Sequence, residues 1–410
     1  MPFLNVAGRA RRSRFILCVG IILIGANLRA PITSIGPVLP DIQRAMHLDG
    51  AAAGLLNALP LVIFALLSLV APAIGRKHGL ERVLGAAVAA ILFGTVVRSL
   101  SFPAAIWLGT VLLSAGIAFG NVLLPGLVKR DFPSGATGLI GVYAAGMAGM
   151  AGLAAGLAVP IARLPNADWR WSIGCWALLS LVTAIIWLPQ MRGRHRHLAA
   201  AGAAQRFVSP WRHPIGWQVS LFFALHSLVF YAIVDWFASY AATSGVPLAT
   251  AGAQLLVYQV VAVATNLGSA ALIRRFRDQR LLGFACGLFL LIGTTGLLLR
   301  PDLSRLWLAS AGLGAGIAMV TSLTMFTLRT HDHHQAGALS GMAQFVGYLG
   351  AAAGPLLVGV LHDATGGWGV PLSMLIAASA LVVVFATLAG RPLVIGDTGA
   401  LRAPGTDRLR

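Results

Sequence analysis

The chain has 410 residues, of which 58% are hydrophobic and only 10% are charged, and its mean hydropathy is +0.83. A soluble domain carries about 25% charged residues, so this composition excludes a soluble protein. The net charge of +18 would indicate nucleic-acid binding in a soluble chain. In a chain as apolar as this one we expect no nucleic-acid partner, and we interpret the positive charge as a signal of membrane topology.

Apolar runs of about 20 residues, the length that a helix needs to cross a bilayer, recur along the chain. Backbone groups in lipid must be satisfied within their own segment, so continuous runs predict helices, whereas a β-barrel would show short alternating stretches. The runs predict an all-α polytopic membrane protein with twelve transmembrane helices. We place the spans at 15–38, 51–74, 83–100, 104–128, 136–161, 169–190, 215–242, 250–273, 281–299, 305–328, 336–361 and 370–390.

The distribution of Lys and Arg predicts the orientation of these spans. Of the 30 positive residues, 23 fall on the two tails and the loops on their side, six fall on the other side, and Arg29 lies inside the first span. Positively charged loops stay in the cytoplasm. We therefore predict a multi-pass protein of the bacterial inner membrane with both termini cytoplasmic and the lipid bilayer as its surroundings.

An internal repeat divides the chain. Residues 104–123 and 304–323 are identical at eight of twenty positions at a constant offset of 200, and Trp107 and Trp307 are among these positions. The repeat predicts two pseudo-symmetric six-helix halves, related as parallel repeats. We assign 1–190 to the N-terminal half, 191–214 to a cytoplasmic linker and 215–410 to the C-terminal half with its short tail.

Several stretches carry a family resemblance, chiefly NLRAPITSIGPVLPDI at 27–42, LPGLVKRDFP at 124–133 and SGMAQFVGYLGAAAGPLLVGVLHDATGGW at 340–368. They resemble the cyanate/nitroimidazole permease (CynX/NimT) branch of the major facilitator superfamily. The resemblance implies the major facilitator fold and secondary active transport by alternating access. It also implies a small polar or anionic solute, such as a cyanate-like or nitroimidazole-like molecule or another small organic anion.

Arg29 is the sharpest single feature of the sequence. It lies about 15 residues beyond Arg14, or roughly 22 Å along a helix, and a charge at that depth costs roughly 2.5–3.5 kcal/mol or more. Because a guanidinium matches planar anions with a fork of donors, we predict that Arg29 binds the solute. The alternative is an Arg tied to backbone carbonyls or to a salt bridge. Pro31, Pro37 and Pro40 should break or bend the first span just beyond it.

Asp235 is the one acidic residue that the sequence places well inside a span, at a depth similar to that of Arg29. It is predicted to act in coupling, as a carboxylate that carries protons or as a counter-ion to Arg29; the alternative is a charge near a wet cavity mouth. His362, next to Asp363 at the outer end of the eleventh span, is predicted to be a gate or a packing contact.

Further polar residues within the spans are predicted to bind the solute, the alternative for each being an interhelical hydrogen bond. Gln344 and Tyr348 are four residues apart and share one face of the eleventh span. The glycines of the fifth and eleventh spans are predicted to allow close helix packing. The predicted solute-binding residues besides Arg29 are Asn27, Asn57, Tyr143, His226, Gln344 and Tyr348, with Asn121 as a further lining candidate.

The competing functional classes are weaker. The chain has no Walker A pattern, and we expect no cofactor, no metal site at the histidines of 331–334, and a monomer. The leading class is a secondary transporter, for which protons are a candidate coupling ion. The alternatives are a drug or metabolite efflux transporter of the same fold and a membrane-embedded sensor or enzyme. One in-span acid is too few for a membrane enzyme.

Overall fold

The computed structural model describes residues 3–48, 50–192, 208–243, 245–276 and 278–396, and the described chain folds into α-helices joined by short turns. The helices are α1 Phe3–Asn27, α2 Ala30–Thr33, α3 Leu39–Met46, α4 Gly50–His78, α5 Leu80–Arg98, α6 Ala105–Asp131, α7 Ala136–Ala162, α8 Trp169–Gly174, α9 Trp176–Arg192, α10 Pro214–Thr243, α11 Leu248–Arg275, α12 Arg280–Leu299, α13 Ser304–Leu328, α14 His333–Thr365 and α15 Gly369–Ala389.

The described helices include twelve segments long and apolar enough to cross a membrane, and each of them overlaps one predicted span. The twelve-span prediction is therefore confirmed. The first span extends to Met46 instead of ending at 38, because α1, α2 and α3 follow one another along it. Large apolar side chains such as Leu178 and Leu281 are 67% and 77% exposed, as expected for residues that face lipid.

The first span is broken at Arg29. Helix α1 ends at Asn27, and Arg29 has φ −128° and ψ −45°, outside the helical geometry. Pro31, Pro37 and Pro40 follow within the next eleven residues, and proline lacks the N–H that a continuing helix needs. The predicted break is confirmed, and it places Arg29 at an irregular stretch of backbone, which membrane proteins tolerate where it lines a cavity.

The internal repeat is visible in the packing of the two halves. Helix α5 packs on α6 and α9 in the first half, as α12 packs on α13 and α15 in the second. The halves meet where α4 and α6 contact α14 and where α7 contacts α11 and α13. Residues 193–207 of the predicted linker lie outside the described residues, so the division at 191–214 stays a prediction. We call the end of the bundle that holds Arg192 and Pro214 the linker side, and the other end the opposite side.

The two halves are in close contact on the linker side. Lys129 at the end of α6 donates hydrogen bonds from Nζ to the carbonyl oxygen of Thr327 at 2.6 Å and to Oγ1 of Thr330 at 2.9 Å. Gly341 of α14 approaches α4 so closely that an added Cβ would lie 2.6 Å from the carbonyl oxygen of Ser68. These contacts close the space between the halves at this end.

The glycines of the fifth and eleventh spans differ in what they contact. In α14, a Cβ added at Gly350 would lie 2.8 Å from the carbonyl oxygen of Ala224 in α10, so close packing is confirmed there. In α7, the prediction is wrong for Gly149, Gly152 and Gly156, because a Cβ at each would meet no atom within 4 Å.

Two polar residues with predicted roles in transport lie near the opposite side. Asn57 near the start of α4 and Asp235 near the end of α10 are exposed. The hydrogen bonds that join the halves among the described side chains lie at mid-depth or near the linker side. The closest contacts between the halves among the described residues thus lie at mid-depth and on the linker side.

Candidate substrate site

A narrow cavity lies between the halves at mid-depth. Four of the predicted solute-binding residues line it: Arg29 and Tyr143 from the first half, and Gln344 and Tyr348 from the second. The structure thus brings these four together, although their roles in binding stay predictions. The remaining lining residues are Leu28, Asn121, Leu124, Met147, Phe223, Met319 and Leu323.

Arg29 contributes the positive charge of this cavity. Its partly buried side chain lies beside the hydroxyl groups of Tyr231 and Tyr348, and Tyr231 is within hydrogen-bonding reach. Both tyrosines belong to the second half, so Arg29 reaches across the interface. Within the described part of the chain no carboxylate forms an ion pair with it. Its charge is therefore stabilised by neutral oxygen atoms and is not neutralised by any described carboxylate.

The proposed pairing of Arg29 with Asp235 is wrong in this structure. Helix α10 presents Tyr231 to Arg29, whereas Asp235 lies one turn farther toward the opposite side, roughly 6 Å along the helix axis. Asp235 is exposed, and the described residues provide no charged partner for it. The depth estimate from the sequence was therefore off by one helical turn.

A hydrogen-bond network joins the halves on the linker side of Arg29. Asn121 donates from Nδ2 to the hydroxyl oxygen of Tyr348 at 3.0 Å. Gln344 donates from Nε2 to the backbone carbonyl oxygen of Asn121 at 2.8 Å and to Oγ of Ser340 at 3.0 Å. These bonds fix the orientation of the polar side chains that line the cavity wall.

Asn27 is a correction to the predicted site. Its side chain is fully buried, donates from Nδ2 to the Leu23 carbonyl at 2.9 Å and to Thr183 Oγ1 at 2.7 Å, and accepts from Ser180 Oγ at 2.6 Å. These bonds tie α1 to α9 within the first half. Asn27 does not line the cavity, so the interhelical alternative describes it.

His226 and Asn57 also lie away from the cavity lining. The His226 ring is buried behind Phe223, at 5.3 Å between ring centroids, and its Nε2 lies 3.3 Å from Oγ of Ser322. Asn57 is exposed near the opposite end of α4, so in this structure neither residue would touch a solute in the cavity.

His362 lies at the opposite end of α14, as predicted from the sequence. Its ring packs 4.4 Å from the Trp368 ring, and its Nδ1 lies 3.5 Å from the Asp363 carboxylate. Both partners belong to the same half. His362 is thus a packing contact in this structure, and its gating role stays a prediction.

Tyr231 is the residue of the site that the sequence analysis missed. Its position was readable, since it precedes Asp235 by four residues and so lies on the same face of α10. The spacing alone does not indicate that Tyr231, and not Asp235, contacts Arg29. The apolar residues that line the cavity could not be identified from the sequence, because Leu, Met and Phe are common throughout the spans.

A second, larger cleft opens on the linker side between the start of α7 and the end of α13. It includes Arg329, whose guanidinium donates to the carbonyl oxygens of Ala389 and Gly390 and to Gln279 Oε1. Burial lowers the pKa of Arg329 to about 10, so it stays charged near neutral pH. Its donors are engaged by the protein, which makes this cleft a weaker candidate than the central cavity.

Twelve apolar spans in two halves around a central polar cavity define a membrane transporter. The model of the Major Facilitator Superfamily matches residues 16–355, and the chain belongs to this superfamily, in the branch of the nitroimidazole and cyanate transporters. The chain is 38% identical over 380 residues to the 2-nitroimidazole transporter of Escherichia coli (strain K12), covering 93% of this chain and 96% of that protein.

Two further comparisons agree with this assignment. The chain is 26% identical over 353 residues to the cyanate transport protein CynX of Escherichia coli (strain K12), covering 85% of this chain and 90% of CynX. Among solved structures, that of the Major Facilitator Superfamily transporter FucP in the outward conformation matches with a TM-score of 0.73 at 14% identity, covering 91% of this chain and 98% of FucP. These relatives are transporters, so the chain is a transporter and not an enzyme.

Proposed function

We propose that the chain is a secondary active transporter that moves a small planar anion or strongly dipolar solute across the bacterial inner membrane by alternating access. The excess of Lys and Arg assigns the linker side, with both termini, to the cytoplasm. Because the described contacts between the halves lie at mid-depth and on the linker side, we propose that this structure represents the outward-facing state of the cycle.

The observation that carries this proposal is the environment of Arg29. A charge within a span is costly, and here the described residues around the guanidinium supply tyrosine hydroxyl groups in place of a carboxylate. The guanidinium lines a cavity between the halves, at the level from which a rocking motion would expose it to either side. A solute that brings negative charge or strong acceptor atoms would complete this site.

The chemistry of the related transporters supports the same solute class. Cyanate and 2-nitroimidazole, the solutes in the names of two relatives, are small and flat and carry electron-rich acceptor atoms. A guanidinium offers parallel N–H donors to such groups.

Protons are the coupling ion that we propose. Asp235 lies one turn beyond Tyr231 on the side from which solute and protons would enter, and it is exposed there. A proton taken up by Asp235 would change the charge at the mouth of the cavity when solute occupies Arg29. This role needs no ion pair between the two residues.

Transport by the purified protein in proteoliposomes tests the proposal. We expect accumulation of 2-nitroimidazole or cyanate that depends on an imposed pH gradient and is lost in Arg29→Gln, but retained when exposed Arg305 is changed to Gln. Net movement in the opposite direction under the same gradient would assign the chain to efflux. Equal transport by wild type and Arg29→Gln at matched protein levels would overturn the proposal.

A further inference from the structure

Gln344, a residue of the central cavity, has a side-chain hydrogen-bond acceptor without a partner among the described residues. Its side chain is 2% exposed and lines the cavity together with Arg29. Its Oε1 atom is buried and has no hydrogen-bond partner among the described residues. A buried acceptor without a partner is unfavourable, because it has lost its hydrogen bonds to water without replacement.

The orientation of this amide is determined by its neighbours. The Gln344 Nε2 atom lies 2.8 Å from the backbone carbonyl oxygen of Asn121, which can only accept. A flipped amide would place two acceptor oxygens against each other, so the nitrogen must face Asn121. The Oε1 atom is therefore the atom left without a partner, and Ser340, which accepts from the same nitrogen at 3.0 Å, does not relieve it.

The spacing of the polar groups sets a scale for the ligand. Gln344 lies one turn of α14 below Tyr348, which adjoins Arg29, and four residues of helix span roughly 6 Å. The walls of the cavity are apolar side chains, suited to the faces of a flat molecule. They are Leu28, Leu124, Met147, Phe223, Met319 and Leu323.

We propose that Gln344 Oε1 accepts a hydrogen bond from the transported solute. The solute then carries two features: a negative or acceptor group for Arg29 and an N–H or O–H donor for Gln344, at opposite ends of a small planar body. This inference rests on the proposed function and narrows its solute class. A site built around a buried acceptor rejects analogues that lack the donor, since the acceptor is then left unpaired.

A pair of solutes that differ in one donor tests this without any change to the protein. We would measure equilibrium binding of 2-nitroimidazole and of its N1-methyl derivative to the purified wild-type protein by calorimetry. The expected result is at least about tenfold weaker binding of the methylated compound, the effect of one lost hydrogen bond to a buried acceptor.

Protein variants distinguish the effect of losing the N–H donor from the effect of the added bulk of the methyl group. In Gln344→Met, which keeps the length of the side chain without the acceptor, the ratio of the two affinities should fall to near one. Gln254→Met is the matched control, because Gln254 is also buried in the second half but its Oε1 accepts a 3.0 Å hydrogen bond from Ser304. That variant should keep the wild-type ratio.

The outcomes distinguish this inference from the proposed function. Equal binding of the two compounds by wild type, with binding lost in Arg29→Gln, would overturn the role of Gln344 and leave the anion site intact. A ratio that persists in Gln344→Met would also overturn it, since the discrimination would then come from bulk. If neither compound binds, both this inference and the proposed nitroimidazole-like solute are wrong.

Discussion

The side-chain amide of Asn121 in the first half donates a 3.0 Å hydrogen bond to the hydroxyl of Tyr348 in the second half. Because the Tyr348 hydroxyl also adjoins Arg29, this bond connects the charged residue to the interface that must rearrange in a transport cycle. The two halves thus meet through polar groups at the depth of the cavity, and through tightly packed backbone on the linker side.

Tyr348→Phe removes one hydroxyl from this connection. Asn121 would lose its acceptor and Arg29 one of its neutral partners, a loss of about 1 kcal/mol, so solute affinity should fall roughly fivefold. Tyr258→Phe is the control, since the Tyr258 hydroxyl is buried without a hydrogen-bond partner among the described residues. Calorimetric dissociation constants of both variants would measure the effect, and an equal loss in the two would contradict a specific role for Tyr348.

Asn27→Ala should affect stability more than binding. Asn27 is bonded to Ser180 and Thr183 of α9, and interhelical hydrogen bonds in membranes contribute about 0.6–2 kcal/mol each. We expect a lower midpoint in thermal unfolding of the detergent-solubilised protein, with the solute affinity of the folded fraction unchanged. Asn57→Ala, at an exposed position, should change neither. An unchanged midpoint with weaker binding would return Asn27 to the substrate site.

Gly341→Leu should open the linker side. A side chain at Gly341 would collide with the backbone of α4 at Ser68. Such overpacking costs roughly 1–3 kcal/mol, enough to shift the equilibrium between a closed and an open linker side about tenfold. A cysteine placed at Ala270, which contacts Gly141 across the halves, would report opening by faster reaction with a polar maleimide. The reporter requires a background in which the three native cysteines are replaced.

The matched control for this variant is Gly152→Leu. Gly152 is exposed in α7 and has open space around it, so a side chain there should leave the labelling rate at Ala270 unchanged. Equal rates in wild type and Gly341→Leu would show that the Gly341 contact does not hold the linker side closed.

The fold could be predicted from the sequence because its determinants are local. The length of each apolar run follows from the thickness of the bilayer, the repeat that includes Trp107 and Trp307 indicated two similar halves, and the prolines after Arg29 marked the broken helix. The site depended on helix rotation, which apolar spans do not reveal. The rotation of a helix decides which neighbour a polar residue such as Asn27 contacts. A difference of one helical turn likewise places Tyr231, and not Asp235, opposite Arg29.

Asp235→Asn separates proton coupling from solute binding. If the carboxylate carries the coupled proton, the variant should still exchange external for internal solute but should lose accumulation driven by a pH gradient. Asp302→Asn is the control, an exposed acid on the opposite side that pairs with Arg300. Accumulation at the wild-type level in Asp235→Asn proteoliposomes would remove Asp235 from the coupling mechanism.

The solute affinity of Arg29→Lys tests most directly whether Arg29 binds the solute. Lysine keeps the charge but loses the planar fork of donors, and charge-assisted hydrogen bonds contribute about 1.5–3 kcal/mol. For 2-nitroimidazole, the account predicts a dissociation constant at least about tenfold higher than in wild type, with no change in Arg305→Lys. A wild-type dissociation constant in properly folded Arg29→Lys and Arg29→Ala would contradict the claim that Arg29 binds the solute.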